Sequence, residues 1–335
     1  MTRALTEVRN AVRDCVADLP TSSPVVVACS GGPDSVALAA ATAWVCVRQG
    51  RQAAAVVVDH NLVVGSAQVA ATAAELCSSL GLEPALVRRV DARARPGGPG
   101  PEAAARDARY AALFAVAAEL HAGAILLGHT LDDQAETVLL GLARGSGARS
   151  LAGMRPSNGL VRRPLLGIGR ETVRRSAYDA GLVSVDDPQN SDPHFTRVRV
   201  RDVVLPTLER ELGPGIAEAL ARTADLVRDD ADLLDSLAGD ELARLGETPL
   251  VVEMRALAPA LRTRVIRSLI IEAGCPAGDL TRGHVLAVDH LLCEPRARGP
   301  VHLPDGYVAR RAPRAGGRLS IERDPLPRDR ATKEP

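Results

Sequence analysis

Along the first 180 residues, short apolar runs rich in β-branched residues alternate with longer, alanine-rich stretches of helical period. Pro24–Cys29 (PVVVAC), Ala53–Asp59 (AAAVVVD), Pro84–Val90, Ala124–Leu127 (AILL) and Leu160–Leu165 predict strands. Asp34–Val47, Ser66–Leu80, Glu102–Leu120, Leu131–Ala143 and Arg170–Ala180 predict helices, with Gly81 and Gly123 closing two of them. Strands that are apolar throughout and separated by helices belong to a parallel sheet covered on both faces. The predicted fold class is therefore a doubly wound, mainly parallel α/β sheet. In such sheets ligands bind beyond the carboxyl ends of the strands.

The pattern changes after Pro206. Ile216–Leu237 predicts a long amphipathic helix whose Asp225, Asp229, Asp230, Asp232 and Asp235 form a solvated acidic face. Thr248–Glu253 reads as a short strand, Arg262–Ala273 and Arg282–Leu292 as helices, and Arg296–Arg323 as turns and short strands. A boundary near Leu212–Gly215 gives a first domain over 1–212. The second, over 213–335, is smaller, mostly helical α+β, and entered through the linking helix 216–237. Ala92–Pro101 (ARARPGGPGP) can be neither helix nor strand, and reads as a surface loop or one that orders over a substrate.

Composition narrows the class. A chain of 335 residues with 46% hydrophobic and 24% charged positions is globular and needs no disulfide or metal staple. Lys+Arg and Asp+Glu are both 41, which excludes a uniformly polybasic binder. Locally, arginine dominates: seven arginines face two acids over 296–323, and twelve face seven over 141–210. Such stretches suit a polyanion, and an almost lysine-free surface suits bidentate phosphate contacts. The six cysteines are scattered with no C-x-x-C, as expected for reduced thiols in a cytoplasmic protein. No apolar leader opens the chain, and the longest apolar run, Val36–Val47, is too short to span a bilayer; neither a signal peptide nor a membrane anchor is expected.

Two blocks carry chemistry. Ser30-Gly31-Gly32-Pro33-Asp34-Ser35 follows a strand and opens a helix. Its glycines allow close approach of the backbone to phosphates, the helix start supplies N–H donors, and Ser30 and Ser35 add hydroxyls. Pro33 suits the first helical turn. Asp34 beside phosphate makes sense if Mg²⁺ bridges the two. Gly128-His129-Thr130-Leu131-Asp132-Asp133-Gln134-Ala135-Glu136-Thr137 follows the strand Ala124–Leu127. His129, Asp133 and Glu136 share one face of a helix, suited to general base work, Mg²⁺ binding or ammonium capture. The acids could instead simply complement the helix N-terminus.

The first block resembles the PP-loop, the S-G-G-x-D-S signature of ATP pyrophosphatases with an adenine nucleotide alpha hydrolase-like fold. The longer run Gly128–Met154 (GHTLDDQAETVLLGLARGSGARSLAGM) resembles the signature of the tRNA(Ile)-lysidine synthetase family. Val58-Asp59-His60-Asn61-Leu62, Glu102 with Arg106, Arg109-Tyr110, Arg163-Pro164-Leu165-Leu166 and the segment Asp187–Asp192 with Phe195, Arg197, Arg201 and Pro206 agree with it in the family's order. The resemblance covers about residues 24–210. Ser150 and Val198 depart from the family's usual Gly and Asn.

The resemblance implies an ATP- and Mg²⁺-dependent ligase. It would join L-lysine to C2 of the wobble cytidine in isoleucine tRNA with a CAU anticodon, through an adenylated cytidine, releasing AMP and pyrophosphate. It implies that Ser30, Gly31, Gly32, Pro33, Asp34 and Ser35 hold the phosphates, and that Asp59 and His60 border the adenosine. Asp34 and Asp133 would hold the metal. Asp132, Asp133 and Glu136 would hold lysine, and His129 is a candidate base, catalytic with Asp34 and Asp133. Arg106, Arg109, Arg163, Arg197 and Arg201 would contact tRNA, against the alternative that each is paired within the protein. The second domain would hold the tRNA away from the anticodon. The oligomeric state is open, a homodimer being one option. The competing readings are a tRNA thiolase, an amidating synthetase and a non-catalytic nucleotide-binding module.

Overall fold

The structure, a computed structural model, describes residues 2–61, 65–90, 101–145, 147–183, 194–297, 299–312 and 317–324, with the backbone alone at 101 and 102. The sequence-predicted loop 92–101 and the acidic segment 187–192 lie almost wholly outside these residues. The chain divides into two compact units, 1–225 and 226–335, the division falling inside one long helix.

In the first unit the elements run α1 (Arg3–Cys15), β1 (Val25–Ala28), α2 (Pro33–Gln49), β2 (Ala53–Asp59), α3 (Ser66–Ser79), β3 (Ala85–Arg89), α4 (Pro101–Glu119), β4 (Ala124–Leu126) and α5 (Leu131–Ala143). They continue as α6 (Ala148–Leu151), β5 (Ser157–Asn158), β6 (Val161–Arg162), α7 (Arg170–Asp179), α8 (Thr196–Arg199), a π-helical turn Val200–Val204, α9 (Leu205–Leu212) and the start of α10 (Ile216–Leu245). The six strands form one sheet in the order β3-β2-β1-β4-β6-β5, parallel except for β5. Alternate side chains feed two cores, as the two-residue period of a strand requires. Val25, Val27, Ala55 and Leu126 pack beneath α1, α2, α3 and α7. Val26, Ala54, Val56 and Ile125 pack against Leu113, Val116 and Ala117 of α4. Helices thus cover both faces. The order reverses at β1, between β2 and β4, so the crevice for ligands opens beyond the ends of β1 and β4.

Three elements differ from the sequence reading. Helix α1 had no predicted counterpart; Val8, Val12 and Val16 recur at four-residue spacing and are buried, in a segment otherwise too polar to signal a core helix. The strand expected over Leu160–Leu165 shrinks to Val161–Arg162, because Arg163 turns its backbone to Pro156 and Pro164 cannot donate to a ladder. The strand expected over Thr248–Glu253 is instead helix α11 (Val251–Ala256), with Val251 and Met254 buried one turn apart; only Leu250 bridges to Arg318.

The second unit holds the remainder of α10, which runs eight residues beyond its predicted end, then α11, α12 (Pro259–Glu272), α13 (Arg282–Cys293) and the antiparallel sheet β7 (Val301–His302), β8 (Tyr307–Arg311) and β9 (Leu319–Arg323). Met254, Ile266, Ile270, Leu292 and Leu319 fill its core. Asp225, Asp229 and Asp230 on α10 are exposed as expected, whereas Asp235 pairs with Arg264 at 3.0 Å. The arginines of the basic C-terminal stretch are largely engaged locally: Arg310 with Glu322 and Asp324, Arg323 with Asp305, and Arg311 and Arg318 with backbone carbonyls.

Candidate active site

Beyond β1 the backbone turns through Gly31 at φ 84°, a conformation that favours glycine, and α2 begins at Pro33. The Ser35 hydroxyl ties this loop together. It donates to the Gly32 carbonyl (2.8 Å), accepts from the Ser30 N–H (3.1 Å) and lies 3.2 Å from Ser30 Oγ. Ser35 therefore shapes the loop, while Ser30 stays exposed at its mouth. Beyond β4, Gly128 packs against the first turn of α2; a Cβ there would sit 3.2 Å from the Asp34 carbonyl oxygen and 3.3 Å from Ser35 Cα. This contact joins the two sequence blocks at the crevice where the strand order reverses.

Helix α5 starts at a capping box. Asp133 Oδ2 accepts from the Thr130 N–H (2.8 Å) and hydroxyl (2.9 Å). Its other oxygen pairs with Arg170 Nη2 at 3.0 Å and lies 3.6 Å from Arg201 and 3.8 Å from Arg197. Burial opposes the charge of Asp133, but Arg170, the Thr130 N–H and Arg197 together hold its pKa below the usual range. Glu136 is fully buried and clasped by three arginines: Arg170 (2.8 Å), Arg197 (2.8 Å) and Arg201 (2.9 Å). Asp132 makes one hydrogen bond among the described residues, accepting from the Arg170 N–H at 2.7 Å. Arg170 thus meets all three acids of α5, and its Nε lies 3.8 Å from Asp34 Oδ2. Arg174, one turn on, lies 3.8 Å from Asp34 Oδ1.

Asp34 Oδ1 is buried with no hydrogen-bond partner. Burial pushes the Asp34 carboxyl up to about 6, with Asp133 adding to the rise and Arg170 and Arg174 opposing it. A hard carboxylate oxygen left unpartnered fits Mg²⁺, which binds through one or two carboxylates together with phosphate oxygens and water. Among the described residues no group of three or more His, Cys, Asp or Glu could hold a metal, and a metal held by one carboxylate would need phosphate and water to complete its shell. Asp34 fits that role. Asp133, expected as a second metal ligand, has both oxygens engaged.

His129 is partly buried, and desolvation pushes its pKa down to about 3, with Arg109, Arg163 and Arg197 adding to the fall and Asp133 opposing it. The shift favours the neutral imidazole, whose free ring nitrogen can accept a hydrogen bond. Its Nδ1 has no hydrogen-bond partner. Nearby, Tyr110 gathers three arginines. Arg163 Nη2 donates to its hydroxyl (3.2 Å), and the guanidinium carbons of Arg106 and Arg109 lie 5.2 and 5.6 Å from its ring centre. None of the three has a carboxylate partner among the described residues, and Nε of both Arg109 and Arg163 is buried without a hydrogen bond. Beyond β2, Asp59 accepts from the Asn61 N–H (2.8 Å) and so fixes the turn, and half-buried His60 has its pKa lowered by desolvation and by Arg109.

The predicted residues thus fall into two groups. Asp34, Asp133, Glu136, Arg197 and Arg201 belong to one ion-pair network joined through Arg170, whose backbone N–H also holds Asp132; His129, His60, Arg106, Arg109 and Arg163 form a basic cluster. Arg197 and Arg201, expected on tRNA, both pair with Glu136, and Arg163 is buried with Nη1 on the Arg155 carbonyl (2.7 Å). Sequence reasoning missed Arg170 and Arg174; their four-residue spacing at the start of a predicted helix was the available signal. It also missed Gln134, whose buried amide holds both the N–H (2.7 Å) and carbonyl (3.0 Å) of Met154 and joins the two ends of the Gly128–Met154 run.

Comparison with known proteins places this site in context. A family model described as a PP-loop domain matches residues 4–208, and one described as the TilS substrate binding domain matches residues 251–315. The tRNA(Ile)-lysidine synthase of Thermobifida fusca is 52% identical over 320 residues, 95% of this chain and 97% of that protein. That of Streptomyces coelicolor is 50% identical over 309 residues, 90% and 86% of the two chains. Among solved structures, the U34-tRNA thiolase NcsA from Methanococcus maripaludis with its 4Fe-4S cluster has a TM-score of 0.54 at 22% identity, covering 67% of this chain and 80% of that one, a likeness of fold. No described helix is long and apolar enough to cross a membrane. The chain, with its ATP-using PP-loop domain at the N-terminus, belongs to the tRNA(Ile)-lysidine synthase family of ligases.

Proposed function

We propose that this enzyme ligates L-lysine to C2 of the wobble cytidine in the CAU anticodon of isoleucine tRNA, in the cytoplasm. The observation that carries the reading is the meeting of the Ser30–Ser35 loop and the His129–Glu136 block at one crevice, beside arginines that no carboxylate among the described residues neutralises. Such a site suits a reaction between two polyanions, ATP and tRNA.

The cytidine C2 oxygen attacks the α-phosphorus of ATP, and pyrophosphate leaves. The lysine ε-amine then attacks C2, and the oxygen departs with AMP, a far better leaving group than oxide. The loop backbone at Gly31 and Gly32 and the Ser30 hydroxyl hold the phosphates, and Ser35 keeps the loop closed. Mg²⁺ held by Asp34 would neutralise phosphate charge when bound. Asp59 and His60 border the adenosine from the end of β2. Arg106 and Arg109 face the cytidine and the charge on its adenylate.

Lysine capture falls to Asp132, which makes the fewest hydrogen bonds of the three acids of α5. Asp133 and Glu136 act through the arginines they orient. The ε-ammonium must lose a proton before attack; burial among Arg109, Arg163 and Arg197 lowers its pKa and favours the neutral amine. Neutral His129 then accepts a hydrogen bond from that amine. The target base leaves its stack cheaply because it lies in a loop. Residues 213–335 hold the tRNA outside the anticodon.

The test is product identity. ATP should be converted to AMP and pyrophosphate only when lysine and a CAU isoleucine tRNA are both present. Turnover to ADP, or turnover indifferent to the tRNA, would overturn the assignment.

A further inference from the structure

We propose that Arg174, with Arg170 behind it, forms a second wall of the phosphate site and binds the β and γ phosphates of ATP from the side opposite the Ser30–Ser35 loop. The inference rests on the ATP chemistry proposed above and adds two ligands to it. Arg170 and Arg174 stand four residues apart on α7 and so share a face. Val173 and Ala177 anchor that helix in the same core as Val36 of α2, which fixes the face toward the loop.

Both guanidinium groups approach Asp34, yet each stops at 3.8 Å, beyond hydrogen-bonding distance. Arg170 uses its Nη2 on Asp133 and Glu136. Arg174 makes no hydrogen bond among the described residues, and its side chain is half-exposed, at 53%. A half-exposed ion pair of this length contributes little to stability. An arginine with its donor fork unused, beside a loop built for phosphates, suits bidentate capture of a phosphate. If Asp34 turned to a metal, the two arginines would give up these approaches and be left facing the pyrophosphate moiety. A solely structural Arg174 would serve as the counter-ion of Asp34 and nothing more.

The test is calorimetric titration of the full-length protein with inorganic pyrophosphate in the presence of Mg²⁺. Arg174→Ala should weaken binding about tenfold or more, the scale of losing charge-assisted hydrogen bonds. Arg174→Lys should retain part of the affinity. Arg175→Ala, a neighbour whose partner is Asp179, should bind as wild type does. In turnover, Arg174→Ala should raise KM for ATP and leave KM for lysine unchanged. Pyrophosphate affinity of Arg174→Ala within twofold of wild type, or no binding by the wild type, overturns the proposal. Lysidine formation by the wild type is scored separately. A protein that binds pyrophosphate through Arg174 but forms no lysidine would overturn the proposed function and leave this inference standing.

Discussion

Arg170 Nη2 lies 2.8 Å from Oε1 of Glu136, a carboxylate with no solvent exposure, and the same carboxylate also accepts from Arg197 and Arg201. One buried acid therefore gathers α5, α7 and the helical segment 196–204. Glu136→Gln keeps the shape and removes the charge, leaving three guanidinium groups facing one another. Breaking a buried ion pair from one side costs about 3–5 kcal/mol, and a loss of that size is expected in chemical denaturation. Arg175→Ala on the exposed side of α7 should stay within about 0.5 kcal/mol of wild type. Equal stability of the two variants would show that the clasp contributes nothing.

Gly128 and Asp34 define a second test. A methyl group at position 128 would lie 3.2–3.3 Å from the backbone of Asp34 and Ser35, which cannot yield without moving the loop. Gly128→Ala should fold, at a cost of about 1–3 kcal/mol, with KM for ATP raised more than KM for lysine. Unchanged ATP kinetics would mean that the packing of β4 on α2 does not set the phosphate site.

Asp34→Asn should lower AMP formation by about a hundredfold or more, the scale seen when a single charge-stabilising group is lost. Raising Mg²⁺ should not rescue it. Full activity at high Mg²⁺ would move the metal away from Asp34.

His129 gives a pH signature. Its pKa falls from 6.5 to about 3 on folding, so the unfolded chain takes up the proton more readily. The stability this contributes is complete above about pH 6.5 and is lost as pH falls toward 3. Between pH 7 and pH 5 that loss amounts to about 2 kcal/mol. His129→Gln should lose correspondingly less over the same interval. Parallel pH–stability curves for the two proteins would contradict a neutral imidazole at position 129.

The sheet and the two chemical blocks were legible because each rests on a local rule. Apolar runs such as PVVVAC and AAAVVVD can only be buried strands, and a glycine pair before Pro33 can only be a turn into a helix. The position of β4 beside β1 then brings His129 to the loop by topology alone. Partners distant in sequence were not legible. Nothing near Glu136 reveals that Arg170, Arg197 and Arg201, 34 to 65 residues away, converge on it. That Arg197 and Arg201, read as tRNA contacts, pair with Glu136 was hidden for the same reason: an arginine looks alike in sequence whether it meets a phosphate or a buried carboxylate. Helix α11 was misread because VVE carries strand propensity, and the burial of Val251 and Met254 decided otherwise.

The central claim is tested most directly by incorporation of labelled lysine into an unmodified CAU-anticodon isoleucine tRNA transcript with ATP and Mg²⁺. An elongator methionine tRNA of the same anticodon is the control, and Asp34→Ala the blank. ATP-dependent label in the isoleucine tRNA alone, absent with Asp34→Ala, is the expected result. No label in either tRNA, from folded protein that binds ATP, would contradict lysidine formation and point to another acceptor for the adenylate.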